Sequence, residues 1–385
     1  MPDESIVALD SSLAELRTGK GIIMMKYRYG AMVALAGFLL VISYASAQAC
    51  TTFVIGERDS QLFGRTYDFD FGDGYIIVNK RGVSKTAFKS RLQGEDGQPV
   101  GWTSRFGSVT FNQYGREFPQ GGMNETGLVV EAMALMNTRF PPPDSRPYLP
   151  NSLLWRQYLL DTCSSVNEVI ESDSKVRVSY DASKGIGIHL LVLDREGNAA
   201  IIEFLEGKTV VHTGDSLPIR ALTNNAYQES LTYWKNQTSP FYDSAGSIRR
   251  FVTVAELVHP GRSVQSKPKV EEAFTLLDSV KWEKTRWSIV YDNRNSKIHL
   301  KTDGNAAIRI VDVARFDFSC RTSVKSLNIN HDLIGDVTQN FQEYEPAINL
   351  DSVKTSFGKL DTRVQVPEQV VELLGNYPQQ CECRE

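Results

Sequence analysis

Residues 50–82 read CTTFVIGERDSQLFGRTYDFDFGDGYIIVNKRG, and the reading of this stretch decides the fold. Thr51 to Ile55 and Leu62 to Tyr67 are short runs rich in β-branched, aromatic and aliphatic residues, and a polar segment separates them. That pattern predicts an antiparallel hairpin. A hairpin returns the end of its second strand to the start of its first, so Arg65 and Asp68 are expected beside Cys50. A guanidinium there favours the thiolate form of the sulfur and lowers its pKa. Taken alone, an Arg and an Asp on a hairpin are better read as a surface ion pair. What precedes Cys50 shifts that balance.

Upstream, Lys26 and Arg28 form a short basic region, Ala31 to Ser43 is apolar, and small residues run from Ala45 to Ala49. The order matches a secretory leader, with Ala47-Gln48-Ala49 as an A-x-A cleavage signal. The apolar run is short of the roughly 20 residues of a membrane span, and no stop-transfer pattern follows it. The segment ahead of Met24 is mixed and polar, which fits a start at Met24 or Met25. No twin-arginine pair precedes the apolar run, so the general secretory route is favoured. Residues 1–49 are therefore expected to be a removed leader, and the product to be periplasmic or secreted.

Cleavage after Ala49 would make Cys50 the first residue. A thiol and an α-amine would then share one residue, the amine having an ordinary pKa of about 7.7–8.0 and so able to accept the thiol proton near neutral pH. The competing reading is a lipoprotein anchor, with Cys50 acylated as the attachment point of a periplasmic binding protein. Such sites favour Leu three residues before the Cys, where this chain has Ala47. The leader leaves the two readings close. The residues after Cys50 favour the enzyme.

The chain has 385 residues, and without the leader it is long enough to bury a substantial core. No Pro/Gly/Ser-rich linker, charge block or fixed-period repeat divides it, so residues 50–385 are expected to form a single domain. Further strand-like runs are Tyr75 to Asn79, Val109 to Asn112, Leu128 to Met133, Ile188 to Leu193 and Ala200 to Leu205, then Trp287 to Tyr291, Lys297 to Lys301 and Ala306 to Asp312. Asp194 to Asn198 joins two of them as a hairpin turn. Helices are expected over Ser152 to Leu160, capped by Asn151, after the capping-box pair Ser165/Glu168, over Glu271 to Val280, and over Pro367 to Leu374 with Gly375 past its end. Hairpins with clustered helices predict an α+β domain of antiparallel sheets covered by helices.

Formal net charge is −4, which gives no electrostatic case for nucleic acid. Five cysteines, an odd number, suggest a free thiol in an exported protein. With Cys50 in that role, Cys163, Cys320, Cys381 and Cys383 could form up to two disulfides, and Cys163 reads best as a small buried residue at a helix end. Cys381-Glu382-Cys383 lacks a matching His/Cys pair and the five histidines are scattered, so neither a metal nor a cofactor is expected.

Cys50-Thr51-Thr52-Phe53, the run Phe63-Gly64-Arg65 with Asp68, and Asn79-Lys80-Arg81-Gly82 together resemble the choloylglycine hydrolase family, which comprises bile salt hydrolases, penicillin V acylases and related linear-amide C–N hydrolases of the N-terminal-nucleophile superfamily. Further segments agree in order: Gly122 to Leu128 (GMNETGL), Leu222 to Asn225 (LTNN), Ser247 to Phe251 (SIRRF) and Thr285 to Asp292. The resemblance implies a four-layer αββα sandwich of two antiparallel sheets and hydrolysis of an N-acyl amide through a thioester. It implies Cys50 as nucleophile, Arg65 and Asp68 beside it, the Asn224 side chain as an oxyanion donor, and Arg250 as a second active-site arginine. A backbone N–H near Ala134 would complete the oxyanion hole. The family often carries Asn or Tyr at that place, so Ala134 is a departure, although a backbone donor does not depend on the side chain. The implied partner is a small-molecule N-acyl amide, with no stable membrane span, and the family suggests dimers or tetramers. An N-terminal-cysteine acyltransferase or a ceramidase-like amidase is the neighbouring alternative.

Plainer readings stand beside these. Asn224-Asn225 fits an Asx turn, Arg249-Arg250 a solvated pair at a helix start, and Asn124 a turn-forming residue ahead of the strand at Leu128. Tyr67, Phe69 and Phe71 fit either an acyl pocket or strand aromatics facing the core.

Overall fold

A computed structural model describes residues 50–89, 97–178, 187–237, 246–259, 269–360 and 366–384. The leader expected over 1–49 lies outside these residues.

Two large sheets carry the architecture. Their strands are β1 (Thr51–Ile55), β2 (Leu62–Asp68), β3 (Tyr75–Asn79), β4 (Ser108–Asn112), β5 (Pro119–Asn124), β6 (Val129–Ala134), β7 (Ile188–Leu193), β8 (Ala199–Leu205), β9 (Lys208–Thr213), β10 (Ala221–Leu222), β11 (Thr285–Asp292), β12 (Lys297–Thr302), β13 (Arg309–Asp312), β14 (Lys325–Asn328), β15 (Gly335–Asp336) and β16 (Gln342–Glu343). The first sheet runs β10-β1-β2-β11-β12-β13-β15 and the second β9-β8-β7-β6-β5-β4-β3-β14-β16. Pairing is antiparallel throughout except between β13 and β15 at one edge.

The helices are α1 (Ser152–Thr162), α2 (Val166–Ser172), α3 (Tyr227–Asn236), α4 (Ser247–Val258), α5 (Val270–Ser279), α6 (Pro346–Gly358) and α7 (Glu368–Asn376). Helices α3 to α5 cover the outer face of the first sheet, and α1, α2, α6 and α7 the outer face of the second. The inner faces meet in an aromatic seam, where Tyr67 stacks on Trp287 at 4.3 Å between ring centroids and Phe111 meets Tyr291 edge-on. Tyr67, Phe69 and Phe71 all belong to this core. The αββα layering expected from the resemblance is therefore realised, because each sheet has one apolar face turned to the other sheet and one turned to helices.

Local chemistry sets several boundaries. Asn151 caps α1, its side-chain oxygen accepting from the Leu154 N–H at 2.8 Å. Ser165 caps α2 in the same way, but the Glu168 carboxylate bonds the Ser164 N–H at 2.6 Å and does not close a box on Ser165. Gly375 lies inside α7 and not past its end, since the helix continues to Asn376 and a 3-10 turn follows. Cys320 and Cys383 form a disulfide, while Cys163 is buried at the end of α1 and Cys381 keeps its thiol.

Candidate active site

The hairpin reading holds. Thr51 pairs with Thr66 and Thr52 with Arg65, and Gly56 takes the left-handed φ of 88° that starts the turn. Cys50 sits just ahead of β1, and its thiol is buried. The Arg65 Nη2 lies 4.0 Å from Sγ, and Arg65 itself is 2% exposed. Burial pushes the Cys50 thiol pKa up. Arg65 pulls it down, Asp68 pushes it up, and the Asp68 backbone N–H and Arg250 pull it down. Arg65 thus acts in the expected direction, but desolvation outweighs it and the resting sulfur is a thiol.

Asp68 ends β2. Burial pushes its carboxyl up to about 6, against the pull of the Thr285 hydroxyl, the Arg250 and Arg65 guanidinium groups and the Thr66 hydroxyl. One carboxylate oxygen is reached by Thr66 Oγ1 at 3.5 Å, while the other, Oδ1, is buried without a hydrogen bond to any described residue. Thr66 Oγ1 in turn accepts from the Thr51 N–H at 3.0 Å.

Arg250 belongs to α4, which packs on β1. Arg249 beside it points to solvent, whereas Arg250 is 8% exposed and turned inward. Its Nη1 donates to the Cys50 carbonyl at 2.7 Å and to Thr51 Oγ1 at 2.6 Å, and its Nη2 to Asn224 Oδ1 at 3.1 Å. The solvated-pair reading therefore fails for Arg250.

Asn224 follows β10, and its backbone N–H donates to Ser247 Oγ at 2.8 Å. A guanidinium only donates and a carbonyl only accepts, so Asn224 Oδ1 must face Arg250 and Nδ2 must face the Ala134 carbonyl, 2.9 Å away. Asn224 is thus fixed by tertiary contacts and not by an Asx turn. Leu135 N–H bonds Gly187 on the β7 side. Neighbouring residues in a ladder alternate in direction, so the polar groups of Ala134 point to the opposite edge, where Asn224 sits. The second Nδ2 hydrogen of Asn224 and the Ala134 N–H are donors on that edge, near the carbonyl end of Cys50.

Around the site, Glu131, Arg156, His189 and Glu203 are buried charged or titratable residues that the sequence reading did not single out. Glu131 on β6 pairs with Arg65 and accepts from the Tyr291 hydroxyl. Gly121 on the adjacent strand makes room for it, because a Cβ there would collide with the Glu131 carboxylate. Arg156 on α1 donates from Nη1 to the Gln120 carbonyl at 3.0 Å, the same oxygen that Arg65 Nη1 reaches at 3.3 Å. His189 on β7 bonds Glu203 Oε1 at 2.9 Å and the Thr223 carbonyl at 2.7 Å, which ties the residue before Asn224 to the second sheet. Glu203 also receives His212 and the Tyr227 N–H, and despite burial these partners hold its carboxyl down to about 2. A common signal marks all four: each is a lone charged or titratable residue inside an apolar run, as in VVEAMA, SLLWRQYLL, IHLLVL and AAIIEFL. Such a residue is rarely buried without a partner.

Among the described residues no group of three or more His, Cys, Asp or Glu could hold a metal ion, and no helix is long and apolar enough to cross a membrane.

Residues 50–249 match the model of the linear amide C–N hydrolases, choloylglycine hydrolase family. A penicillin V acylase of Pectobacterium atrosepticum is 25% identical, over 75% of this chain and 87% of its own. Among solved structures, penicillin V acylase from Agrobacterium tumefaciens superposes with a TM-score of 0.61 at 25% identity, covering 77% of this chain and 98% of that one. A variant of conjugated bile acid hydrolase from Clostridium perfringens shares the fold, with a TM-score of 0.58 at 18% identity over 74% of this chain and 98% of that one.

Proposed function

The chain belongs to the choloylglycine hydrolase family of linear amide C–N hydrolases, and from that premise we propose that it is exported, cleaved after Ala49, and hydrolyses an N-acyl amide with Cys50 as N-terminal nucleophile. The observation that carries the proposal is the convergence on Arg250. One buried guanidinium holds both the Cys50 carbonyl and the Asn224 amide oxygen, and so turns the Asn224 N–H groups to the edge of Ala134.

The chemistry follows from the burial of Cys50. A thiol whose pKa is pushed up needs a base in contact with it. Cleavage converts the peptide nitrogen of Cys50 into an amine on the same residue. The orphaned Oδ1 of Asp68 is a ready acceptor for that amine. The amine takes the thiol proton as sulfur attacks the amide carbonyl and the S–C bond forms. Negative charge moves to the carbonyl oxygen, where the Asn224 Nδ2–H and the Ala134 N–H receive it; one such donor is typically worth about 2.7–4 kcal/mol in the transition state. The tetrahedral species collapses, the C–N bond breaks, and the leaving nitrogen takes the proton back from the ammonium. Water, deprotonated by the same amine, then attacks the thioester carbonyl, and sulfur departs as the thiol after reprotonation.

Penicillin V, glycine- and taurine-conjugated bile salts and N-acyl homoserine lactones form the first substrate panel, the first two from the names of the relatives. Intact mass and N-terminal sequencing of the exported protein should give a free amino group on Cys50. A blocked amine or a retained leader would overturn the mechanism. Cys50→Ala should accumulate and fold normally, with hydrolysis of every panel member reduced to background.

A further inference from the structure

Among the described residues, Arg156 is a buried cation with no anion beside it. It is 4% exposed, its one hydrogen bond among the described residues is Nη1 to the Gln120 carbonyl, its Nε has no partner, and no carboxylate of a described residue lies within ion-pair distance. Its surroundings are those of the site. The Gln120 carbonyl is shared with Arg65, whose other arm is 4.0 Å from the Cys50 sulfur, and Arg156 interacts electrostatically with Arg65, Tyr67 and Cys50. Burial, with Arg65 alongside, lowers its pKa to about 9, so it is still charged at neutral pH.

A charge in this position is costly. Desolvating an ion is repaid only by a partner of opposite sign in good geometry. Inside the site Glu131 is already committed to Arg65, and Asp68 answers to Arg250 and Arg65. No described residue supplies the anion that Arg156 lacks, and a bound substrate can.

Building on the amidase reading, we propose that Arg156 is the specificity residue of the site and recognises a carboxylate carried by the substrate next to its scissile amide. A guanidinium offers a planar fork of donors that a carboxylate can engage with two oxygens, and Nη2 of Arg156 makes no hydrogen bond to a described residue, while Nη1 bonds the Gln120 carbonyl and Nε is buried. Neutral N-acyl amides would leave the cation unpaired and bind less well.

The test uses matched substrate pairs with the mature protein. N-phenoxyacetylglycine against its glycinamide places the charge on the amine side, and succinyl-anilide against its methyl ester places it on the acyl side. The acid is expected to exceed its neutral partner in kcat/KM by on the order of tenfold to a hundredfold in one of the two pairs. Arg156→Gln should bring that ratio to about one mainly by slowing the acid, and Arg156→Lys should keep part of the preference. Affinities of the same pairs for Cys50→Ala read recognition without turnover, so the proposal is tested even if the nucleophile assignment fails. Hydrolysis of the neutral members by Cys50 with equal rates for acid and neutral would leave the amidase reading standing and overturn the role of Arg156. Equal slowing of both members by Arg156→Gln would also overturn it. A merely structural arginine further predicts a loss of thermal stability in Arg156→Gln, whereas removal of an unpaired buried charge predicts none.

Discussion

Two of the buried charge clusters among the described residues differ in how they balance. On the helix side of the second sheet, Lys85 is enclosed between Glu117 and Asp161. Arg116 covers the other oxygen of Glu117 at 3.1 Å, and Trp102 and Gln157 both donate to Asp161 at 2.8 Å. Two cations face two carboxylates. Around Cys50, the described carboxylates near the three guanidinium groups of Arg65, Arg156 and Arg250 are Glu131 and an Asp68 whose carboxyl is pushed up to about 6. The first cluster is closed and holds the structure together. The second, among the described residues, carries more cations than carboxylates and has an Asp68 oxygen with no described partner. A site that must stabilise a thiolate, an oxyanion and an incoming substrate keeps such groups open until the reacting species supply the balance.

Breaking the closed cluster should give the largest effect on stability. Lys85→Met leaves two carboxylates facing each other inside the protein, and removing one partner of a buried ion pair typically costs about 3–5 kcal/mol. A marked fall in the urea midpoint is expected, with kcat per folded molecule unchanged. If Lys85→Met instead slowed turnover at unchanged stability, the two clusters would not be functionally separate.

The opposite outcome is expected of Asn224→Ala. Its side chain makes one hydrogen bond to the Ala134 carbonyl and receives one from Arg250, and it is part-exposed. A fall in kcat of on the order of a hundredfold with little change in thermal midpoint would mark it as an oxyanion donor. Loss of stability alone would make it a structural link between α4 and β6.

The sequence shows the strands of this comparison more readily than its charges. Thr51 to Ile55 and Leu62 to Tyr67 declare the hairpin as two short β-type runs around a polar turn, and that hairpin suffices to bring Arg65 and Asp68 to Cys50. Asn224 and Arg250 were reached through motif resemblance, because nothing local to LTNN or SIRRF points to a residue far upstream in the chain. Glu131 and Arg156 were not reached at all. Each interrupts an apolar run, which signals a buried charge, but its environment is set by strand order in the second sheet and by the seating of α1 on β5. The strand Pro119–Asn124 itself was missed, since its glycines give it little β-character, although one of them creates the space that Glu131 occupies. The short strand expected from Ala306 begins only at Arg309.

The smallest effect sharpens the comparison through pH. In the fold, Asp68 titrates near 6, above the ordinary aspartate value of 3.8. The fold therefore favours the protonated acid, and this contribution to stability is complete below about pH 4 and lost as the pH rises through about 6. Asp68→Asn keeps the neutral state at every pH. Relative to the parent, it should melt roughly a few degrees higher at pH 8 and at nearly the same temperature at pH 4, while its amide hydrolysis falls at both. Glu117 shows the reverse dependence, because it is held below the ordinary carboxylate range by Lys85 and Arg116 against the cost of burial, and its stabilisation is present at neutral pH and lost on acidification. A parent-minus-variant melting difference for Asp68→Asn that is positive at pH 8 and falls toward zero at pH 4 would mean that Asp68 is ion-paired as tightly as Glu117, and the contrast between an open and a closed cluster would fail at the residue beside Cys50.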